Sequence, residues 1–437
     1  MMKAIFFIIS TFLINCSLYA GCGTVDLTNP DYLRSVGKDA LIEHFKKPRD
    51  QDSVGWCAAY SASDAISFAT GEPASALDMT ISFHANNASG SNNLNSDQLR
   101  SEGMVVTDII KNVQKNGYCP ERSIPSNQTF SSNLGQVTLF SFLEYFQDYI
   151  NKTNGGRQNI ENCESCTTKF FEKYIKSSIP GSTIGLVNEV IRKNNGNGLA
   201  SLKELLTRVC GENRVATSNI KLESVYSVSS QQYVNKIQEA LESSSMPSIV
   251  INTSTFAKIE AVPGGHSLHA MVVAGKRMGA NGKCEYMVRN SWGRSCSFYI
   301  PEVAKTCNEN AGTFWLSEDQ LTKTLNEVTV VKSTGPIKKT NNGGSKIVLN
   351  SDNGKGKTDY GQPIINKENK IKPDETNEGK QLSPIPNPEP NPILNQNANN
   401  TFSNFFSDLG SMFQNIANGI GSFLSNFWEE MRKSFSY

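Results

Sequence analysis

The cysteines set the outer limits on what this 437-residue chain can fold into. Of ten, Cys16 lies in the first twenty residues, and the other nine are Cys22, Cys57, Cys119, Cys163, Cys166, Cys210, Cys284, Cys296 and Cys307. Residues 1–20 read as a secretory signal. Lys3 supplies a short positive end, the apolar run 4–14 is too short to span a bilayer, and Ala20 is a small residue at the expected cut. Cleavage removes Cys16 and delivers the chain to a secreted, periplasmic or cell-surface location, where thiols pair. Nine is odd, so one thiol is left for chemistry or modification and eight can form four disulfides. A competing reading makes Cys22, behind Tyr19-Ala20-Gly21, a lipidated cysteine, although Tyr19 stands where such sites usually carry Leu.

No cysteine follows Cys307, and near residue 333 the chain changes character. "STGPIKKTNNGGSKIVLNSDNGKGK" and the alternating prolines Pro384, Pro386, Pro388, Pro390 and Pro392 are polar or extended segments. They cannot bury enough apolar surface to offset the entropy of ordering them. Residues 333–400 therefore read as a disordered linker and 21–332 as the folded, oxidised domain. A formal net charge of +1 gives no electrostatic reason to expect nucleic acid.

The last segment, 401–437, is different again. Phe402, Phe405, Phe406, Leu409, Met412 and Phe413 begin a stripe that continues to Met431 at three- and four-residue steps, the pattern of an amphipathic helix. Its basic residues, Arg432 and Lys433, are confined to the end, so attraction to anionic lipid is weak. The stripe is expected to bind a membrane surface or a partner's groove. The alternative is a helix that packs back over the folded domain as an inhibitory segment.

Within the domain, Ala58, Ala59, Ala62, Ala65, Ile66 and Ala69 recur at helical spacing after Cys57, which places this cysteine at the start of a deeply packed helix. There the macrodipole and unpaired N–H groups favour a thiolate and are expected to lower its pKa. The other reading is half of a disulfide or an inert buried thiol. Only four histidines are available as partners. His269 opens an apolar run, 270–274, that reads as a buried strand, while His266 follows Pro263-Gly264-Gly265 and belongs to the preceding loop. A turn at 279–282 and a second strand ending in "YMVRNSWG" make a hairpin that brings Asn290 beside His269. An amide there can orient the imidazole toward the thiol.

Gln51 six residues before Cys57, the small-residue helix, His269 followed by Ala, and Asn290 in Asn-Ser-Trp-Gly, in that order, resemble the papain-like cysteine peptidases. The resemblance extends to "IIKNVQKNGYCPERSIP" (109–125), like a helix and turn of bacterial members, and to "AGTFWLSEDQL" (311–321), like their closing strand. It implies an α+β, two-domain papain-like fold: a helical half carrying Cys57 and a β-barrel-like half carrying His269 and Asn290. It also implies a Cys57–His269 catalytic pair oriented by Asn290, an oxyanion hole from Gln51, and Trp292 shielding the His–Asn contact. The Leu268 carbonyl and the Gly103 backbone would pair with a protein or peptide substrate, and no cofactor or metal is needed. Cys163-x-x-Cys166 has ligand spacing, but a single pair reads as disulfide material rather than a zinc site.

The chain departs from the family in three places. Val54-Gly55-Trp56-Cys57-Ala58 replaces the usual Cys-Gly-Ser-Cys-Trp, which removes a loop disulfide and moves a tryptophan across the nucleophile. These changes are expected at the rim of the cleft. His269 lies 212 residues after Cys57 (269 minus 57), against about 130–150 in the family. The excess is assigned to an insertion, 126–221, with helical patterns near 136–150, 168–176 and 199–210. The stretch between the cut and Cys57 leaves no space for an N-terminal inhibitory pro-domain. A binding or adhesion protein on a papain scaffold is the alternative function.

Overall fold

The structure, a computed structural model, describes residues 22–87, 94, 99, 104–126, 130–132, 135–154, 168, 171–261 and 267–335. All belong to one compact unit, Met1–Asn350. The expected signal segment 1–20, the expected linker beyond 335, the tail 401–437, Gly103, Cys163, Cys166 and His266 lie outside the described residues.

The organising element is helix α1, Cys57–Thr70. Its small side chains let it sit between other elements: Ala58, Ala59, Ala62, Ala65 and Ile66 are all buried. Gly71, at φ 76°, ends it in the left-handed cap that glycine adopts without cost. Helices α2 (Ala76–Asn87) and α3 (Val106–Asn116) pack on one side of α1. On the other side lies an antiparallel sheet.

The strands are β1 (Val25–Asp26), β2 (Phe130–Ser132), β3 (Gly135–Val137), β4 (Ile220–Tyr226), β5 (Ser248–Asn252), β6 (Leu268–Met278), β7 (Cys284–Arg289), β8 (Thr313–Ser317) and β9 (Leu325–Ser333). β2 and β3 pair only with each other, and the main sheet runs β4-β9-β5-β6-β7-β8 with β1 on β6. β6 packs against α1 and also against a helix at Ser230–Glu242, so its side chains are buried from His269 to Lys276. This explains its unbroken apolar run, where a half-exposed strand would alternate. At Gly275 the register shifts, and a Cβ there would stand 2.5 Å from the Val25 carbonyl oxygen where β1 crosses. The result is a mixed helix and antiparallel-sheet domain.

The stretch read as an insertion, 126–221, holds helices α4 (Leu139–Asn154), α5 (Ile184–Lys193) and α6 (Gly198–Cys210). α4 and α6 match expected patterns, and Phe171–Lys176 forms a wide helical turn. α5 falls outside the expected patterns, although Val187, Val190 and Ile191 form its buried face. α5 packs on α6, α6 on α2, and a Cys119–Cys210 disulfide ties the insertion to the turn after α3. Cys22–Cys284 and Cys296–Cys307 are also bonded, and Cys57 is the one free cysteine among the described residues. The Cys22 thiol that lipidation would need is thus already used.

Candidate active site

Trp56 stands at the N-cap of α1 without accepting any of the helix's N–H groups, and Cys57 follows as the first helical residue. The Cys57 sulfur feels the backbone N–H groups of Ala58, of Cys57 itself and, from β6, of Ala270, each of which favours the thiolate. The last contact brings the thiol to the residue next to His269. Burial is nevertheless the largest influence and pushes the thiol up, outweighing these donors. The expected lowering by the helix terminus is corrected accordingly: the terminus acts, but in a desolvated place. Trp56 is also corrected. It is fully buried and donates through Nε1 to the Leu99 carbonyl at 2.7 Å, so the displaced tryptophan anchors the core instead of forming a rim.

His269 is 4% exposed and its Nε2 lies 2.7 Å from Asn290 Oδ1. Asn290 follows β7 directly, and the hairpin register, Val272 opposite Arg289, sets the two side chains together. The amide is itself fixed: Nδ2 donates to the Tyr299 hydroxyl at 3.0 Å, and Oδ1 accepts the Ser291 N–H at 2.7 Å. An oxygen that already accepts one N–H assigns the donor role to His269 Nε2–H, which leaves Nδ1 as the basic nitrogen. Burial pushes His269 down to about 4, and the Asn290 bond opposes this only in part. Trp292 covers the pair, its ring 4.6 Å from the imidazole, backed by Phe256 at 5.5 Å.

Gln51 is buried beneath the same loop. Its backbone N–H donates to the Ser291 carbonyl at 2.8 Å, and its Oε1 accepts the Ser291 hydroxyl at 2.5 Å. Nε2 donates one hydrogen to the Val54 carbonyl at 2.7 Å, so the second N–H remains for another acceptor. The segment carrying Asn290 thus holds Gln51 directly. Leu268, at the start of β6, is 57% exposed next to the buried histidine. Four of the expected positions, Gln51, His269, Asn290 and Trp292, are joined through Ser291 and the aromatic cover, and Cys57 joins them at Ala270.

Sequence reasoning missed a buried ionic frame behind these residues. Asp64, on α1, accepts from Arg289 Nε at 2.9 Å and lies 2.9 Å from His44 Nε2 and 3.7 Å from Arg49 Nε. Arg289 spends its other N–H groups on the carbonyls of His44, Phe45, Lys47 and Ala311. Arg49 Nη2 donates to Ser63 Oγ at 2.8 Å, and its Nη1 lies 3.4 Å from Glu121. Burial alone would push the Asp64 carboxyl up, but Arg289 and Arg49 hold it well below the carboxylate range. The frame joins α1, the segment before Gln51 and the strand before Asn290. Part of its signal was present in the sequence: Asp64 is the single charge inside an otherwise apolar and small-residue helix.

No family model and no curated protein matches the sequence. Among solved structures the chain is similar to xylellain, a cysteine protease from Xylella fastidiosa, at 15% identity and a TM-score of 0.36, covering 72% of this chain and 88% of that one. SERA5E from Plasmodium falciparum follows at 12% identity and 0.36, covering 70% and 96%. A digestive procathepsin L 3 of Tenebrio molitor larval midgut aligns at 12% identity and 0.33, covering 71% and 70%. At these scores the likeness carries no argument, and any function has to be read from the geometry of the site.

Proposed function

We propose that the protein is an exported papain-like cysteine peptidase in which Cys57 is the nucleophile, His269 the general base and acid, Asn290 its orienting group and Gln51 an oxyanion donor. The observation that carries this reading is the 2.7 Å His269–Asn290 contact on a strand whose next residue, Ala270, presents its backbone N–H to the one free thiol among the described residues. An inert buried thiol needs none of this. Export is supported by the three disulfides among the described residues.

Burial disfavours charge on both the thiol and the imidazole. As the sulfur attacks a peptide carbonyl, the thiol proton passes to His269 Nδ1, and Asn290 holds the ring through Nε2–H. The oxyanion is received by the Cys57 N–H and the second Nε2–H of Gln51. His269 then gives its proton to the departing amine, leaving a thioester that water cleaves with His269 again as base. Trp292 keeps water from the His269–Asn290 bond. The exposed Leu268, with Gly103 outside the described residues, is assigned to backbone pairing with an extended polypeptide substrate.

Hydrolysis of fluorescently labelled casein tests the reading. Wild-type protein is expected to release dye, and Cys57→Ala to lower the rate about 10⁴-fold or more with the fold intact. Equal rates in the two proteins would overturn the proposal.

A further inference from the structure

Helix α4 of the insertion has two sources of capping. Thr138 Oγ1 accepts the Ser141 N–H at 3.2 Å, and Ser141 Oγ accepts the Thr138 N–H at 2.8 Å. The N–H of Phe140, also in the first turn, goes to a group from elsewhere in the chain: the Asp52 carboxylate, at 3.1 Å and 88 residues away in sequence. A carboxylate at the start of a 16-residue helix is favoured by both the unpaired N–H groups and the macrodipole.

Asp52 directly follows Gln51. Its backbone sits at φ 54°, the left-handed region that Asp and Asn tolerate better than other side chains, and its N–H donates to Asp50 Oδ1 at 2.8 Å. Further along α4, Gln147 Oε1 accepts the Leu94 N–H at 2.9 Å. Val54, the position of the missing loop disulfide, is buried. The loop from Gln51 to Cys57 is therefore not left untethered; it is docked on the insertion.

We propose that Asp52 is a positioning residue: by capping α4 it fixes the loop that presents the Gln51 amide, and the insertion does the work of the absent disulfide. This rests on the peptidase reading above. Misplacing a donor by about an ångström is enough to cost up to about 100-fold in rate.

Two variants and two readouts separate this role from simple stability. Asp52→Gly accepts the positive φ freely but deletes the carboxylate. Asp52→Asn keeps both the backbone preference and an acceptor oxygen while removing the charge. Casein hydrolysis needs the oxyanion hole, whereas alkylation of Cys57 by iodoacetamide forms no oxyanion. Asp52→Gly is expected to hydrolyse casein about tenfold more slowly with alkylation within about twofold of wild type. Asp52→Asn is expected to fall about threefold in hydrolysis alone. Hydrolysis by Asp52→Gly within twofold of wild type, or a parallel loss of both readouts, overturns the inference. If Asp52→Gly does not fold, unchanged hydrolysis in Asp52→Asn does the same. A wild-type protein that hydrolyses nothing removes the peptidase reading and this inference with it.

Discussion

His269 and Asn290 are set by strand pairing, whereas Cys57 is set by the start of α1 and Gln51 by a loop held through single long-range contacts. The β6–β7 register brings the histidine and the asparagine together, and the amide then bonds at 2.7 Å. The loop from Gln51 to Cys57 depends instead on Ser291, on the Trp56–Leu99 bond, on the Asp52 cap of α4 and on the ionic frame around Asp64. A paired sheet tolerates the loss of one side chain, because neighbouring ladder bonds keep the register. A loop held by single long-range contacts does not. Substitutions on the sheet side should therefore act on proton transfer, and those on the loop side on geometry.

The largest expected contrast lies within the sheet side. His269→Ala should lower casein hydrolysis about 10³- to 10⁴-fold, because the base and acid are gone. Asn290→Ala should lower it about 10- to 100-fold, since the ring loses its orientation but keeps its nitrogens. Equal losses in the two variants would make Asn290 more than an orienting group.

On the loop side, Gln51→Ala should cost about 100-fold in hydrolysis and little in alkylation of Cys57. If alkylation falls as far as hydrolysis, Gln51 supports the loop and is not an oxyanion donor.

A third, smaller effect appears as stability. Burial lowers His269 from 6.5 to about 4, so the unfolded chain binds more protons between those values. Stability is then expected to fall as pH drops from about 6.5 to 4, by about 3 kcal/mol from this group, and to show no further His269 contribution below that. Urea unfolding of wild type and His269→Ala across this range checks it. Parallel pH curves for the two proteins would show that His269 is not desolvated. Asp64 acts in the same sense but lower in pH: its lowered carboxyl contributes stability above its ordinary value of 3.8 that is lost only on further acidification.

The smallest effect on hydrolysis is expected from the tail. Deleting 401–437 should leave casein hydrolysis unchanged while abolishing sedimentation with liposomes. A several-fold rise in hydrolysis, with full-length protein that never binds liposomes, would make the tail an inhibitor.

The same contrast decides what could be read from the sequence. β6, β7 and their hairpin were legible because an apolar run, a glycine-bounded turn and a second run carry local signals, and the juxtaposition of His269 with Asn290 follows from them. α1 was legible from small-residue spacing, which also set Cys57 at its start. The direction of the Cys57 shift was not, because desolvation depends on elements from β6 and beyond that no local pattern reports. Trp56 was misplaced for the same reason: its partner, Leu99, is 43 residues away. Asp52 drew no notice because its partner is a backbone N–H in an insertion whose docking has no periodicity. Helix α5, by contrast, did carry a readable stripe, obscured by the polar residues between Val187 and Ile191.

The peptidase reading stands or falls on Cys57, activated by His269, acting as the nucleophile. It is tested by titration with a thiol-directed epoxide, with peptide mass mapping and casein hydrolysis measured on the same samples. One label per chain is expected, on Cys57, with hydrolysis falling in proportion to label and labelling slowed at least about tenfold in His269→Ala. Complete labelling of Cys57 with hydrolysis undiminished would contradict it.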